Sequence, residues 1–305
     1  MKPWLLFFAL LGAINVAWAD AIFTDDGRAV TRAEVIGALV RSDFILLGEQ
    51  HDNPHHHRLR SELIGELVNA LGNPIVIEKP ADTAAKKPAQ NPTLVMEYLD
   101  RGARLDPKQP LLEEMERAGF SVKGWQWPLH EPLFAVARAA GLNIVGGNLK
   151  RGDARRVAME GDAAVEPVLA DKLSRAPLST SAKQSLDDAL NEGHCGHMPA
   201  SRLPNMRLAQ RARDAAMATT MLEASSRPVI LLAGNGHVRS DFGVTALLRD
   251  LAPKRNRISI GFYEADTHWE RRLAELRGVF DYVWFTAPTQ REDPCAGFKF
   301  PVSKS

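Results

Sequence analysis

The chain has little cysteine, two residues among 305, and little tyrosine, three in all. Two cysteines cannot build a disulfide-dense scaffold, nor the paired thiolates of a cysteine-rich zinc module. Charge of one sign is also missing, since 38 Lys and Arg stand against 37 Asp and Glu. Neither sign forms a long block, so charge gives no argument for nucleic acid or an anionic membrane as partner. The longest apolar run, Trp4 to Ala13, falls short of the ~20 residues that span a bilayer. No Gly-x-Ser-x-Gly elbow, phosphate-binding loop or Gly-x-Gly-x-x-Gly after the first strand is present, which argues against serine hydrolases and the common nucleotide folds.

The amino terminus carries Lys2, the apolar run, and small residues ending in Ala17-Trp18-Ala19 before Asp20. This is the layout of a cleaved secretory signal over residues 1–19, so the expected location is periplasmic or secreted. No cysteine lies near Ala19, so no lipidated terminus is expected. Without a low-complexity linker, residues 20–305 read as one domain. In an oxidising compartment Cys195 and Cys295 read as a disulfide, which across so long a loop contributes on the order of 4 kcal/mol. The rival reading makes Cys195, within His194-Cys195-Gly196-His197, a metal ligand, but that stretch offers one thiolate where such sites usually offer two.

Apolar runs recur at Phe44 to Leu47, Ile75 to Ile77, Leu142 to Val145, Val229 to Ala233, Ile258 to Phe262 and Tyr282 to Phe285. Runs without alternation suit strands buried on both faces. Thr31-Arg32-Ala33-Glu34 is a capping box opening a helix. Leu59, Leu63, Ile64, Leu67 and Leu71 mark a second helix, closed by Gly72. Further helices are expected over Pro132 to Ala140, Ser181 to Glu192 and Leu203 to Ala224. The pattern predicts an α/β fold, a mostly parallel central sheet with helices on both faces, plus a helical insertion. Ala81 to Pro92, rich in lysine, alanine and proline, reads as an exposed loop or small helical insertion.

Ligands of open parallel sheets settle beyond the carboxyl ends of the strands. Glu49 and His51 follow the strand ending at Leu47, Glu78 closes the one beginning near Ile75, and His237 follows the one ending at Ala233. Two carboxylates and two imidazoles there suit a divalent transition metal. Pro54 and Asn53 or Asp52 start a helix bearing His55, His56 and His57, of which at most one or two can face one ligand. On the long helix, Met206, Gln210, Arg213 and Met217 share a face, with Arg213 able to reach a ligand carboxylate, the Glu49 carboxylate, or a structural partner, Asp214 or a glutamate, that fixes the helix.

Taken together, Leu47-Gly48-Glu49-Gln50-His51-Asp52-Asn53-Pro54, His194-Cys195-Gly196, Ala209 to Ala218 and Gly234-Asn235-Gly236-His237 resemble the ChaN-like haem-binding proteins of the Tiki superfamily. That superfamily also includes the Tiki metalloproteases, TraB proteins and erythromycin esterases, which share a Gly-Glu-x-His and a later Gly-x-x-His. The resemblance runs from about Asp43 to Phe285. It implies a ChaN-like fold and a periplasmic or surface protein that binds haem during iron acquisition, as a dimer around stacked haems, with uptake machinery as a further partner. Two features depart from it: the chain has no lipidation cysteine, and a family segment that often bears tyrosine reads here Trp127-Pro128-Leu129-His130-Glu131-Pro132.

Haem iron takes histidine or tyrosine as axial ligand. His51, His56, His130, His237 and Tyr263 are the candidates, with Tyr98 and Tyr282 as the remaining tyrosines and Arg213 as a partner for a propionate. Met115, Phe120, Trp125 and Trp127 can supply apolar faces or simply core. The competing function is a metal-dependent hydrolase of a peptide or ester bond, in which Glu49, His51, Glu78 and His237 surround a cation that activates water and one glutamate acts as general base.

Overall fold

The computed structural model describes residues 20–72, 91–106, 109–293 and 295–296. The signal segment, the Ile75 to Ile77 run, Glu78 and residues 81–90 of the proline-rich stretch lie outside them.

The described chain runs β1 (Ala21–Thr24), β2 (Ala29–Val30), α1 (Arg32–Leu39), β3 (Phe44–Leu47), α2 (Pro54–Ala70), β4 (Thr93–Asp100), α3 (Leu111–Arg117), α4 (Glu131–Ala139) and β5 (Asn143–Asn148). It continues through α5 (Arg151–Glu160), α6 (Pro167–Arg175), α7 (Thr180–Gly193), α8 (Leu203–Glu223), β6 (Val229–Leu232), α9 (Val244–Leu251), β7 (Arg257–Glu264), α10 (Trp269–Glu275) and β8 (Tyr282–Thr286). The eight strands form one sheet in the order β2-β1-β8-β7-β3-β6-β4-β5. Pairing is parallel from β8 to β5, and β1 joins β8 antiparallel at the edge.

Helices cover both faces, and each strand of the parallel part feeds two cores. Phe44 and Leu46 point into one, with α5, α6, α8 and α9, while Ile45 and Leu47 point into the other, with α1, α2 and α4. Two apolar faces explain why β3 and β6 read as unbroken apolar runs. Four helices, α5 to α8, are inserted between β5 and β6, whereas the insertion expected over Ala81 to Pro92 lies mostly outside the described residues. The capping box on Thr31 is present, with the Glu34 amide donating to its hydroxyl and the Glu34 carboxylate accepting from the Thr31 amide. Asn53 caps α2, Pro54 follows at its first position, and Gly72 past its end adopts φ +82°.

Besides helices α3, α5, α6, α9 and α10, for which no pattern was singled out, two parts of the sheet depart from the pattern expected. The two-residue β2 and the short β1 turn back on an edge, where pairs are too few to leave a periodic signal. More consequentially, β4 is Thr93–Asp100, a buried strand that begins just after Pro92. Its register with β6 pairs Met96 with Leu232, while β3 pairs Leu47 with both Leu232 and Ile260. Gly48, Glu97, Ala233 and Gly261 therefore stand at one level, the carboxyl rim of the sheet.

Candidate functional site

The rim carries a cleft of about 510 Å³ lined by Glu49, His51, Glu97, Gln210, Arg213, Gly234, His237 and Tyr263, among others. Its floor is built by two loops that leave the sheet side by side. After β3 the chain turns at Gly48, where a Cβ would sit 2.2 Å from Asn235 Oδ1 and 3.1 Å from the Ile260 carbonyl. Asn235 fills that space because it bridges to β7, donating to the Phe262 carbonyl at 2.5 Å and accepting from its amide at 3.0 Å. The Asn235 amide in turn donates to the Glu49 carbonyl at 2.9 Å. The two glycine motifs are thus sewn together through backbone groups.

Glu49 is buried and points inward. Its carboxylate accepts from the Arg60 guanidinium, from the Tyr98 hydroxyl at 2.5 Å and from His51 Nδ1 at 2.8 Å. Burial alone would raise its pKa, but the Arg60 charge, the His51 hydrogen bond and the His57 charge outweigh it and hold the group far below the usual carboxylate range. Arg60 also donates to Tyr98 at 3.0 Å. Burial pushes the Tyr98 hydroxyl well above its ordinary pKa, so it is a donor rather than a phenolate.

His51 is the exposed member of the group, with its side chain 42 % accessible. Its Nδ1 is held by Glu49, and Nε2 lies 3.8 Å from Glu97. The ring stands edge-on to Trp125, centroids 5.0 Å apart, and rests on Gly234, where a Cβ would come within 2.7 Å of Nε2. Burial lowers the His51 pKa, yet Glu97 and Glu49 together raise it on balance.

Opposite it stands a second buried set. Glu97 accepts from Arg213 at 2.7 Å and from the Gly234 amide at 2.8 Å, and lies 3.2 Å from His237 Nε2. His237 Nδ1 meets Asp214 at 2.6 Å, with the Gln210 amide against the same ring. Burial disfavours the imidazolium, but Glu97 and Asp214 overcome it and push the His237 pKa up to about 9. Burial raises the Glu97 pKa, and His237, His51 and Arg213 reverse that, holding it well below the carboxylate range. His237 is therefore a cation clamped between two carboxylates.

Glu49, His51, Arg213, His237 and Tyr263 thus share one cleft. Tyr263 lines the cleft but packs on Phe280, and burial pushes its hydroxyl up to about 12. His56 and His130 do not reach the cleft, against the expectation. His56 is fully buried, accepting from the Gln50 amide at Nδ1 and meeting Thr286 Oγ1 with Nε2, so both ring nitrogens are spent on the fold. His130 is buried among His57, Tyr98 and Phe120. Burial first, and nearby cations next, push both down to about 3. Of the partners expected for Arg213 the structure shows a glutamate, Glu97, together with Asn148, and not Glu49 or Asp214. Cys195 and Cys295 are joined in a disulfide, with Cα atoms 5.6 Å apart.

Four functional positions escaped the sequence reading: Glu97, Asp214 as the partner of His237, Arg60, and Tyr98 as a carboxylate donor. Leu94-Val95-Met96-Glu97, bounded by Pro92 and Gly102, was the available signal for the first. Among the described residues no group of three or more His, Cys, Asp or Glu side chains is arranged to hold a metal ion.

Fold and cleft together define a class: a doubly covered, mostly parallel α/β protein whose Gly-Glu-x-His and Gly-x-x-His loops meet over the strand ends. The family described as haem-binding uptake, Tiki superfamily, ChaN matches residues 35–248, and the chain belongs to it. Among solved structures it is similar to ChaN of Campylobacter jejuni, described with cofacial haem binding, at TM-score 0.66 and 18 % identity over 87 % of this chain and 96 % of that one. A mutant erythromycin esterase EreC in its open conformation aligns at TM-score 0.43 and 12 % identity, over 86 % and 95 %. No curated protein matches the chain in sequence.

Proposed function

We propose that this chain is an exported haem-binding protein serving haem and iron uptake. The observation that carries the reading is His51. A ligating imidazole needs one nitrogen open to the metal and the other oriented by a partner, commonly a carboxylate. Glu49, itself fixed by Arg60 and Tyr98, holds Nδ1, and Nε2 makes no hydrogen bond among the described residues, on an accessible ring that lines the cleft. Trp125 beside it offers an aromatic surface of the kind a porphyrin packs on. His51 is accordingly assigned as the iron ligand, with haem as cargo that the cleft orients. A second protomer facing the same cleft would supply the dimer implied by the family, with the uptake machinery as the further partner.

The hydrolase alternative rests on Glu49, His51, Glu78 and His237; Glu78 lies outside the described residues, and the two carboxylates seen at the cleft give it no support. Glu49 is tied to Arg60 and Tyr98, and Glu97 to Arg213, His237 and the Gly234 amide, so both are compensated by protein cations.

Haemin added to the mature chain is expected to give a sharpened, shifted Soret band that saturates, and cell fractionation is expected to place the protein in the periplasm. A titration indistinguishable from that of an unrelated protein overturns the haem reading, and a cytoplasmic fraction overturns the location.

A further inference from the structure

The cleft at His51 has a neighbour. A second cavity of about 360 Å³ opens beyond the carboxyl ends of β4 and β5, closed by the loop from Gly119 to Trp125 and by the start of α5. Glu97 and Arg213 line both cavities and form the wall between them. The two together cross the ends of β7, β3, β6, β4 and β5, four inter-strand spacings or roughly 19 Å at ~4.8 Å each.

The second cavity is chemically divided. Leu99, Leu149, Ala154 and Trp125 give it an apolar wall, and two arginines face it. Arg213 spends Nε on Asn148 and Nη2 on Glu97, which leaves Nη1 without a hydrogen-bond partner among the described residues, on a side chain 28 % accessible. Arg151 is exposed at the rim, and no carboxylate among the described residues pairs with it. Asp100, the remaining carboxylate of the lining, lies against Gly119 and feels Lys150. A guanidinium with open donors beside an apolar wall is suited to a carboxylate carried on a flat hydrophobic body.

We propose that this second cavity, through Arg151 and Arg213, is the subsite for the carboxylate arms of an amphipathic planar ligand. On the haem reading, on which this inference rests, those arms are the porphyrin propionates and the macrocycle lies across the Glu97–Arg213 wall toward His51. Arg213 is a double-duty residue here, since it also neutralises Glu97, whereas Arg151 has no structural task in the described chain.

The test compares haemin with its dimethyl ester, in which both propionates are esterified, on wild-type protein and on Arg151→Ala and Arg151→Glu variants. Arg151 is exposed, so both variants should fold, and a thermal melt checks this. Haemin is expected to bind Arg151→Ala about tenfold more weakly, the worth of one charge-assisted contact, and Arg151→Glu more weakly still. The dimethyl ester should bind all three proteins alike and more weakly than haemin binds the wild type. Equal haemin affinity in wild type and both variants overturns the subsite while leaving haem binding intact. No Soret change with wild-type protein and either compound overturns the haem reading and the subsite with it.

Discussion

At the scale of single residues, the site depends on two buried carboxylates that cannot stand alone. Glu49 without Arg60 would be an ionised group in the interior with only neutral or weakly basic neighbours. Breaking one side of a buried pair costs about 3–5 kcal/mol, so Arg60→Ala should lower unfolding free energy by that amount in urea denaturation. A loss near zero would mean that Glu49 is not buried as described. Gly234 acts differently. A Cβ there meets the His51 ring first, at 2.7 Å from Nε2, and the backbone conformation is one that alanine accepts. Gly234→Ala is therefore expected to displace His51 and weaken haemin binding while stability stays within about 1 kcal/mol of wild type. Unchanged haemin affinity in that variant would remove His51 from the ligand position.

At the scale of elements, the sequence already showed most of what it could show locally. The runs forming β3, β6, β7 and β8 are apolar on both faces, and the capping box, Asn53-Pro54 and Gly72 mark helix ends by residue chemistry that acts within four positions. The shared face of Gln210 and Arg213 was legible for the same reason. What was not legible is which partner that face meets, because Arg213 and Glu97 are 116 positions apart and are joined only through the order of strands. Glu97 itself was hidden by a rival: Ile75-Val76-Ile77-Glu78 and Val95-Met96-Glu97 are equally good strand endings, and periodicity does not rank them. His56 and His130 misled because a histidine beside a ligand motif looks the same whether its ring faces out or in. The meeting of β3 and β6 rests on close approach at Gly48. A Cβ there collides with Asn235 at 2.2 Å and Val238 at 2.9 Å, so Gly48→Ala should cost about 1–3 kcal/mol in chemical denaturation, unlike Gly234→Ala. Equal costs for the two glycines would contradict the distinction.

At the scale of the whole molecule, the buried ionisable groups set a pH optimum for stability. His237, raised from 6.5 to about 9, contributes stability that is complete below pH 6.5 and is lost as pH rises through 9. His56 and His130, lowered from 6.5 to about 3, are neutral in the fold, so stability falls as pH drops from 6.5 toward 3. Glu97, held below its ordinary 4.5, adds to the acid loss under that value. The melting temperature is expected to peak near pH 6.5 and to decline on both sides. A steady rise up to pH 9 would contradict the clamped His237 cation.

On the reading proposed here, the ordered His51, presented by Glu49 at the mouth of the cleft, binds haem iron. Haemin titration of the mature chain beside its His51→Ala variant, followed in the Soret region, tests this most directly. Ligation of the iron by His51 predicts a saturable, shifted band in the wild type and loss of that spectral signature in the variant. An identical band and affinity in both proteins would contradict it.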